Sequence, residues 1–244
     1  MVTFETTPVR FTPSKMSVSL DRITDFLSTV PIFRELERSA VRGFAELTRE
    51  QRFAKGARVV AEGDPGDALF VVRSGEVKIV LIGDDGREVI LNILTVGSHF
   101  GELSLIDGRP RSAHVVTTQP SSLLVLRRAD FRRQVDTSPQ LAWGLMVELS
   151  RRLRQADGTI GGLVLLDVPG RVAKVLLEHV TSGEPATLIK QLTHQTMAQM
   201  IGASRETVSR AMSEFQEKGW ISVQRRVVTI VDRAALEART RPRG

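Results

Sequence analysis

The stretch richest in chemistry runs from Leu192 to Trp220, L-T-H-Q-T-M-A-Q-M-I-G-A-S-R-E-T-V-S-R-A-M-S-E-F-Q-E-K-G-W. Two short helical periods meet at Gly202, and the second opens on Ser204, Arg205 and Glu206. Arginine pairs bidentately with guanine O6 and N7, and glutamate accepts from cytosine N4. Arg205, Glu206 and Arg210 project from the first turns of that second helix, where such contacts are made, and the hydroxyls of Ser204 and Thr207 suit phosphate. A helix-turn-helix also needs a small residue where its helices cross, a glycine at positive φ in the turn, and apolar residues locking one helix on the other. Ala198, Gly202, Ile201 and Val208 stand in those places. Double-stranded DNA is the partner these residues suggest. A plain helical hairpin whose arginines and glutamates form surface ion pairs uses the same residue types.

The elements that must carry this motif change period along the chain. Residues 1–19 have no sustained period and read as a flexible tail, with Met16 a possible translation start. Ile23, Phe26, Leu27, Val30, Ile32, Phe33, Leu36, Val41, Phe44 and Leu47 predict short amphipathic helices broken at Pro31. From Arg52 to Leu126, short β-favouring runs alternate with Gly, Asp and Pro turn signals, which predicts an antiparallel roll or jelly-roll barrel with a hairpin at Asp85-Gly86. Beyond Ser138 the apolar residues Leu141, Leu145, Val147, Leu149, Leu153, Ile160, Leu163 and Leu166 predict one long helix. It is apolar on more than one small domain needs, so a homodimer is expected to cover it. Gly158, Gly161 and Gly162 inside it imply close approach or local loosening, because each costs roughly 1 kcal/mol relative to alanine. Asp167-Val168-Pro169-Gly170 interrupts that helix and puts the domain boundary near Asp167, with Leu166 to Gly170 the expected hinge before a small α/β unit ending in W-I-S-V and V-V-T-I-V. The expected class is α+β: a roll at 20–136, a dimerisation helix at 137–166 and a winged helix-turn-helix at 167–244.

Composition excludes several chemistries. The chain holds 244 residues, 41% hydrophobic and 25% charged, so it can bury a real core. With no cysteine, disulfides, thiolate zinc sites, cysteine-ligated iron–sulfur clusters and thiol redox sensing are out. The histidines His99, His114, His179 and His194 are scattered without metal-ligand spacing, so no metal is expected. His99 alone raises haem or gas sensing as a different reading, and no haem is expected. No Walker-type glycine loop and no Ser/His/Asp grouping is present, and no room for a catalytic domain is seen, so the chain is not expected to be an enzyme. No apolar run suits a membrane span or an export signal, so a cytoplasmic protein without membrane contact is expected. The formal charge of +6 suits a polyanion partner.

Three motifs occur in a recognisable order: F-G-E-L-S-L-I-D-G-R-P-R-S-A, then L-D-V-P-G-R-V-A-K-V-L-L, then G-A-S-R-E-T-V-S-R-A. Across roughly Leu20 to Asp232 the chain resembles the cyclic-AMP receptor (CRP/FNR) family of bacterial transcription regulators. The resemblance implies that Arg205, Glu206 and Arg210 read a TGTGA half-site while Thr193, Ser204 and Thr207 contact phosphates, with Gln195 beside them. His194 replaces an arginine of the family's type member, which implies a weaker or pH-sensitive backbone contact. A dimer would then read a palindrome with half-sites about 34 Å apart, and RNA polymerase is the expected further partner.

The same resemblance implies a cyclic-nucleotide pocket. Such a ligand needs a cation, free backbone N–H groups and a hydroxyl acceptor. Arg111 and Ser112 would hold the cyclic phosphate, Glu102 would accept the ribose 2′-OH, and the N–H groups at Gly101-Glu102-Leu103-Ser104 would complete the cradle. On the residues alone, Glu102 and Arg111 pairing with each other across strands is the better explanation. The family's cyclic-AMP binders carry a hydroxyl pair facing the adenine, where this chain has Ala156 and Asp157. The lost hydroxyl should cost about 1 to 2 kcal/mol, roughly tenfold in affinity, whereas Asp157 can accept from the adenine amino group or pair with a guanine N–H edge. Cyclic AMP is the expected effector, with cyclic GMP, another nucleotide or none as alternatives. Ligand would shift a dimer between two settings of its DNA-reading helices, with residues 158–162 tightening.

Overall fold

The computed structural model describes residues 19–180, 192–224 and 227–241. The expected tail therefore lies outside the described residues, except for Ser19. That residue caps helix α1 (Leu20–Ser28) by accepting from the Arg22 amide. A 3-10 turn at Pro31–Phe33 and α2 (Arg38–Leu47) follow, so Pro31 does break the helical pattern.

Eight strands make two four-stranded antiparallel sheets. One has the order β1 (Arg49–Phe53), β8 (Ser121–Arg127), β3 (Ala68–Ser74), β6 (His99–Phe100). The other runs β2 (Arg58–Val60), β7 (His114–Thr117), β4 (Val77–Ile82), β5 (Glu88–Leu94). No neighbours except β4 and β5 are consecutive in the chain, and these are joined through the expected Asp85-Gly86 turn, with Gly86 at φ 77°. The near-continuous apolar runs of β3 and β8 arise because their sheet is covered on both faces. Leu69, Val71, Leu124 and Leu126 pack against Leu27, Ile32, Phe33 and Phe44 of the N-terminal helices and turn. Phe70, Val72, Leu123 and Val125 point between the sheets to meet Phe100, Val115 and Leu94. Phe70 and Phe100 stack at 4.9 Å. Between β6 and β7 a short helix, α3 (Glu102–Asp107), crosses the end of the roll.

After α4 (Arg128–Thr137) comes the long helix α5 (Pro139–Leu165). The chain forms two compact units, Met1–Arg152 and Leu153–Gly244, so α5 contributes to both. In the second unit α5 passes through Gly158, Gly161 and Gly162 without a break. Lys174 donates to the Gly158 carbonyl, and a Cβ at 158 or 162 would meet its ammonium at 3.5 Å, an ordinary contact. Then come α6 (Val168–Glu178), α7 (His194–Ile201), α8 (Arg205–Glu217), the hairpin β9 (Ile221–Gln224) and β10 (Val227–Ile230), and α9 (Arg233–Arg239). Val172, Leu176, Met197, Ile201, Val208, Phe215 and Leu236 form their common core. Among the described residues no helix is long and apolar enough to cross a membrane.

Candidate functional site

In the first unit the site grows from a glycine no other residue could replace. Gly101 turns the chain from β6 into α3 at φ 90°, where a Cβ would fall 2.5 Å from Arg111 Nη1 and 2.8 Å from the Ala68 carbonyl. The gap admits the Arg111 guanidinium, which donates to the carbonyls of Gly101 (2.9 Å) and Ala68 (2.8 Å) and lies 5.7 Å from the Phe70 ring. Arg111 is 5% exposed, and its buried Nε has no hydrogen-bond partner among the described residues. Its nearest carboxylate is the exposed Asp67 at 3.7 Å. Guanidinium has five donors, so an acceptor brought alongside would find the Nε face open.

Glu102 begins α3, is 2% exposed, and has one oxygen committed and one free. Oε1 accepts from Arg152 Nη1 at 3.0 Å, while Oε2 is buried without a hydrogen-bond partner among the described residues. Glu102 and Arg111 are therefore not consumed by a cross-strand pair with each other. Burial pushes the Glu102 carboxyl above its ordinary range against the pull of Arg152. Leu103 and Ser112 are exposed and Ser104 is buried, and the first N–H groups of α3 have no partner within the helix itself.

Arg152 is the residue that sequence reasoning missed. Its guanidinium is held on three sides: Nε to Glu148 (2.9 Å), Nη1 to Glu102, and Nη2 to the His99 carbonyl (2.7 Å). Arg151 clasps the same Glu148 with two bonds of 2.7 and 2.8 Å. The E-L-S-R-R spacing announces the pairs within α5, but no local signal places Arg152 opposite a carboxylate fifty residues earlier. Burial raises the Glu148 carboxyl, yet the bonds and charges of Arg151 and Arg152 outweigh it and bring it to about 2. Beside them His99 is 2% exposed, and burial first, then the charges of Arg152 and Arg151, against the opposing pull of Glu148, lower its imidazole to about 3. Its Nε2 lies 3.4 Å from Arg152 Nη2 and 4.0 Å from Glu102 Oε2.

A histidine neutral when folded and near 6.5 when unfolded contributes stability above pH 6.5, lost as pH falls toward about 3. Glu102 works the other way, its contribution fading as pH rises above the ordinary carboxylate range. Between pH 7 and 5 the His99 contribution by itself falls by about 2 kcal/mol. His99→Phe should therefore show a much smaller drop in melting temperature between pH 7 and 5 than the unaltered protein. An equal drop would place the acid sensitivity elsewhere.

In the second unit the DNA-type residues sit on a locally built frame. Thr193 caps α7 by accepting from the Thr196 amide, and Gly202 ends α7 in the left-handed region at φ 63°. Ser204 caps α8 by accepting from the Thr207 amide at 3.2 Å. Ala198 is buried at the crossing, and Ile201 and Val208 lock the pair as expected. Arg205, Glu206 and Arg210 are exposed, as are Thr193, Ser204 and Gln195; Thr207 and His194 are half-buried. The Ser204 and Thr207 hydroxyls lie 2.9 Å apart, and Arg210 donates to Thr207 Oγ1 at 3.3 Å. Glu206 is held ionised by its own backbone N–H at the helix start and by Ser204. Asp157 and Ala156, both in the second unit, are exposed on α5.

Two families match these two sites: a cyclic nucleotide-binding domain over residues 50–138 and a Crp-like helix-turn-helix domain over residues 170–239. The chain is 36% identical, over 222 residues, to the CRP-like cAMP-activated global transcriptional regulator of Mycobacterium tuberculosis, covering 89% of this chain and 99% of that one. It is similar to the solved catabolite activator protein of Thermus thermophilus, with 31% identity, a TM-score of 0.51, and 86% and 98% of the two chains covered. The c-di-GMP responsive global regulator CLP of Xanthomonas campestris shares the fold, with a TM-score of 0.68 at 24% identity over 80% of this chain and 99% of that one.

Proposed function

Because the chain belongs to the cyclic-AMP receptor (CRP/FNR) family of transcription regulators, we propose that it is a homodimer that binds a TGTGA-type palindrome under the control of cyclic AMP. The DNA-binding regulator and its cyclic-nucleotide-binding domain come with the family. Effector, operator and assembly are our reading.

One observation carries the effector assignment: a buried acceptor and a buried donor, Glu102 Oε2 and Arg111 Nε, both lack hydrogen-bond partners among the described residues. Buried polar groups left unsatisfied are rare and costly. A ribose hydroxyl on the first and a cyclic phosphate on the second, completed by Ser112 and the N–H groups at 101–104, would satisfy them. The free acceptor and donor suit cyclic AMP and cyclic GMP alike, and Asp157 on α5 is assigned to the adenine amino group. Calorimetry of the full-length protein should show cyclic AMP binding below millimolar concentration and more tightly than cyclic GMP. Asp157→Ala should narrow that preference by about tenfold. Tighter binding of cyclic GMP would turn the assignment of Asp157 to a guanine edge, and binding of neither would overturn the nucleotide reading.

The dimer rests on α5. Trp143, Met146, Val147, Leu153, Ile160 and Val164 are each more than half exposed there, and Met146, Leu153 and Ile160 recur every seven residues. A seam of that period is what a second helix covers. On this reading 137–166 is the dimerisation helix, Arg205, Glu206 and Arg210 read bases, and Thr193, His194, Gln195, Ser204 and Thr207 meet the backbone. RNA polymerase is the partner through which binding is read out in the cytoplasm.

A further inference from the structure

The C-terminal helix returns to the corner at which the DNA-reading domain leaves α5. There Asp167 does two jobs at once. Its Oδ1 caps α6 by accepting from the Gly170 amide at 2.9 Å, and its Oδ2 accepts from Arg239 Nη2, at the end of α9, at 2.8 Å. The approach is close, since a Cβ at Gly170 would lie 3.0 Å from the Arg239 carbonyl. One turn into α6, Arg171 Nη1 reaches back to the carbonyls of Leu163 (3.4 Å), in the last turn of α5, and Leu166 (3.1 Å), just past its end. The corner expected to be a hinge is thus fastened from both sides, and α6 shares one core with α7, α8 and α9.

We propose that Arg239 is a positioning residue for the DNA-reading helices: a latch by which α9 fixes the direction in which α6 leaves α5. The latch can open. Arg239 is 16% and Asp167 43% exposed at the side chain. A cavity of about 250 Å³ lined by Leu165, Leu166, Asp167, Arg239 and Arg241 adjoins the pair and leaves the guanidinium room to swing off the carboxylate. Opening it removes a cationic tie on the corner while leaving the α6 cap in place, so the corner gains freedom without unfolding.

Two substitutions separate the latch from the cap. Asparagine caps helices as well as aspartate does, so Asp167→Asn keeps the bond to Gly170 and loses the charge facing Arg239. Arg239→Met keeps the apolar stem and removes the donor. In amide hydrogen exchange on the full-length protein, each should speed exchange at residues 170–173 by about threefold, the size expected for a partly exposed pair. The double variant should exchange no faster than either single one, because both break the same bond. Unchanged exchange in both single variants, or additive effects in the double, would overturn the proposal. A second readout rests on the proposed function: the ratio of operator affinities with and without cyclic AMP should fall by about threefold in both variants. Were the protein to ignore cyclic AMP, that ratio would be flat from the start and the exchange data would still decide the latch.

Discussion

Arg111→Gln should weaken cyclic AMP binding by about two orders of magnitude. The guanidinium is fixed before any ligand arrives: two donors hold backbone carbonyls, the face lies near Phe70, and the buried Nε has no hydrogen-bond partner among the described residues. A cyclic phosphate taking the Nε edge and a neighbouring N–H would form a charge-assisted pair. At about 1.5 kcal/mol for each of two such bonds, the loss is on the order of 3 kcal/mol, or a hundredfold. Arg111→Lys makes the test sharper. Lysine keeps the charge but cannot hold two carbonyls and still present a fork, so its affinity should fall between those of Arg and Gln. Calorimetry reads the affinities, and melting curves without nucleotide read the cost of the lost carbonyl bonds. If both variants bind cyclic AMP like the unaltered protein and merely melt earlier, Arg111 is a structural brace only.

The second large effect is expected on DNA. Arg205 is exposed on the first turn of a helix whose start is fixed by the Ser204 cap and the Gly202 turn, so its direction is set by the frame. Arg205→Ala should cost about 1 to 3 kcal/mol on a TGTGA palindrome and flatten discrimination at one base pair of each half-site. Thr207→Val removes the hydroxyl proposed to meet phosphate and should weaken all sequences alike. Titrations against the palindrome and its single-base variants distinguish the two. Equal loss on every sequence after Arg205→Ala would show that the arginine meets phosphate and not bases.

The difference between what was legible and what was not follows the range of each signal. The helix-turn-helix could be read because its parts are local: a capping serine, a glycine at positive φ and apolar residues at helical spacing all act within a few residues of one another. The strands of the roll were legible from alternation and turn chemistry, and the hairpin at Asp85-Gly86 from a two-residue turn. Arg152 was not, because its meaning depends on Glu102 and His99, some fifty residues away, arriving at the same place. The Arg239 to Asp167 tie spans 72 residues and is equally silent in the sequence. The long helix was predicted as one piece, and so it is, but its division between two compact units at Arg152 left no trace in the periodicity.

The most direct test sediments the full-length protein with a duplex carrying two TGTGA half-sites in inverted repeat, with and without cyclic AMP, at moderate salt. Two protomers per duplex, bound several-fold more tightly with the nucleotide and not on a scrambled duplex, is the predicted result. One protomer per duplex, or the same binding with and without nucleotide, would contradict it.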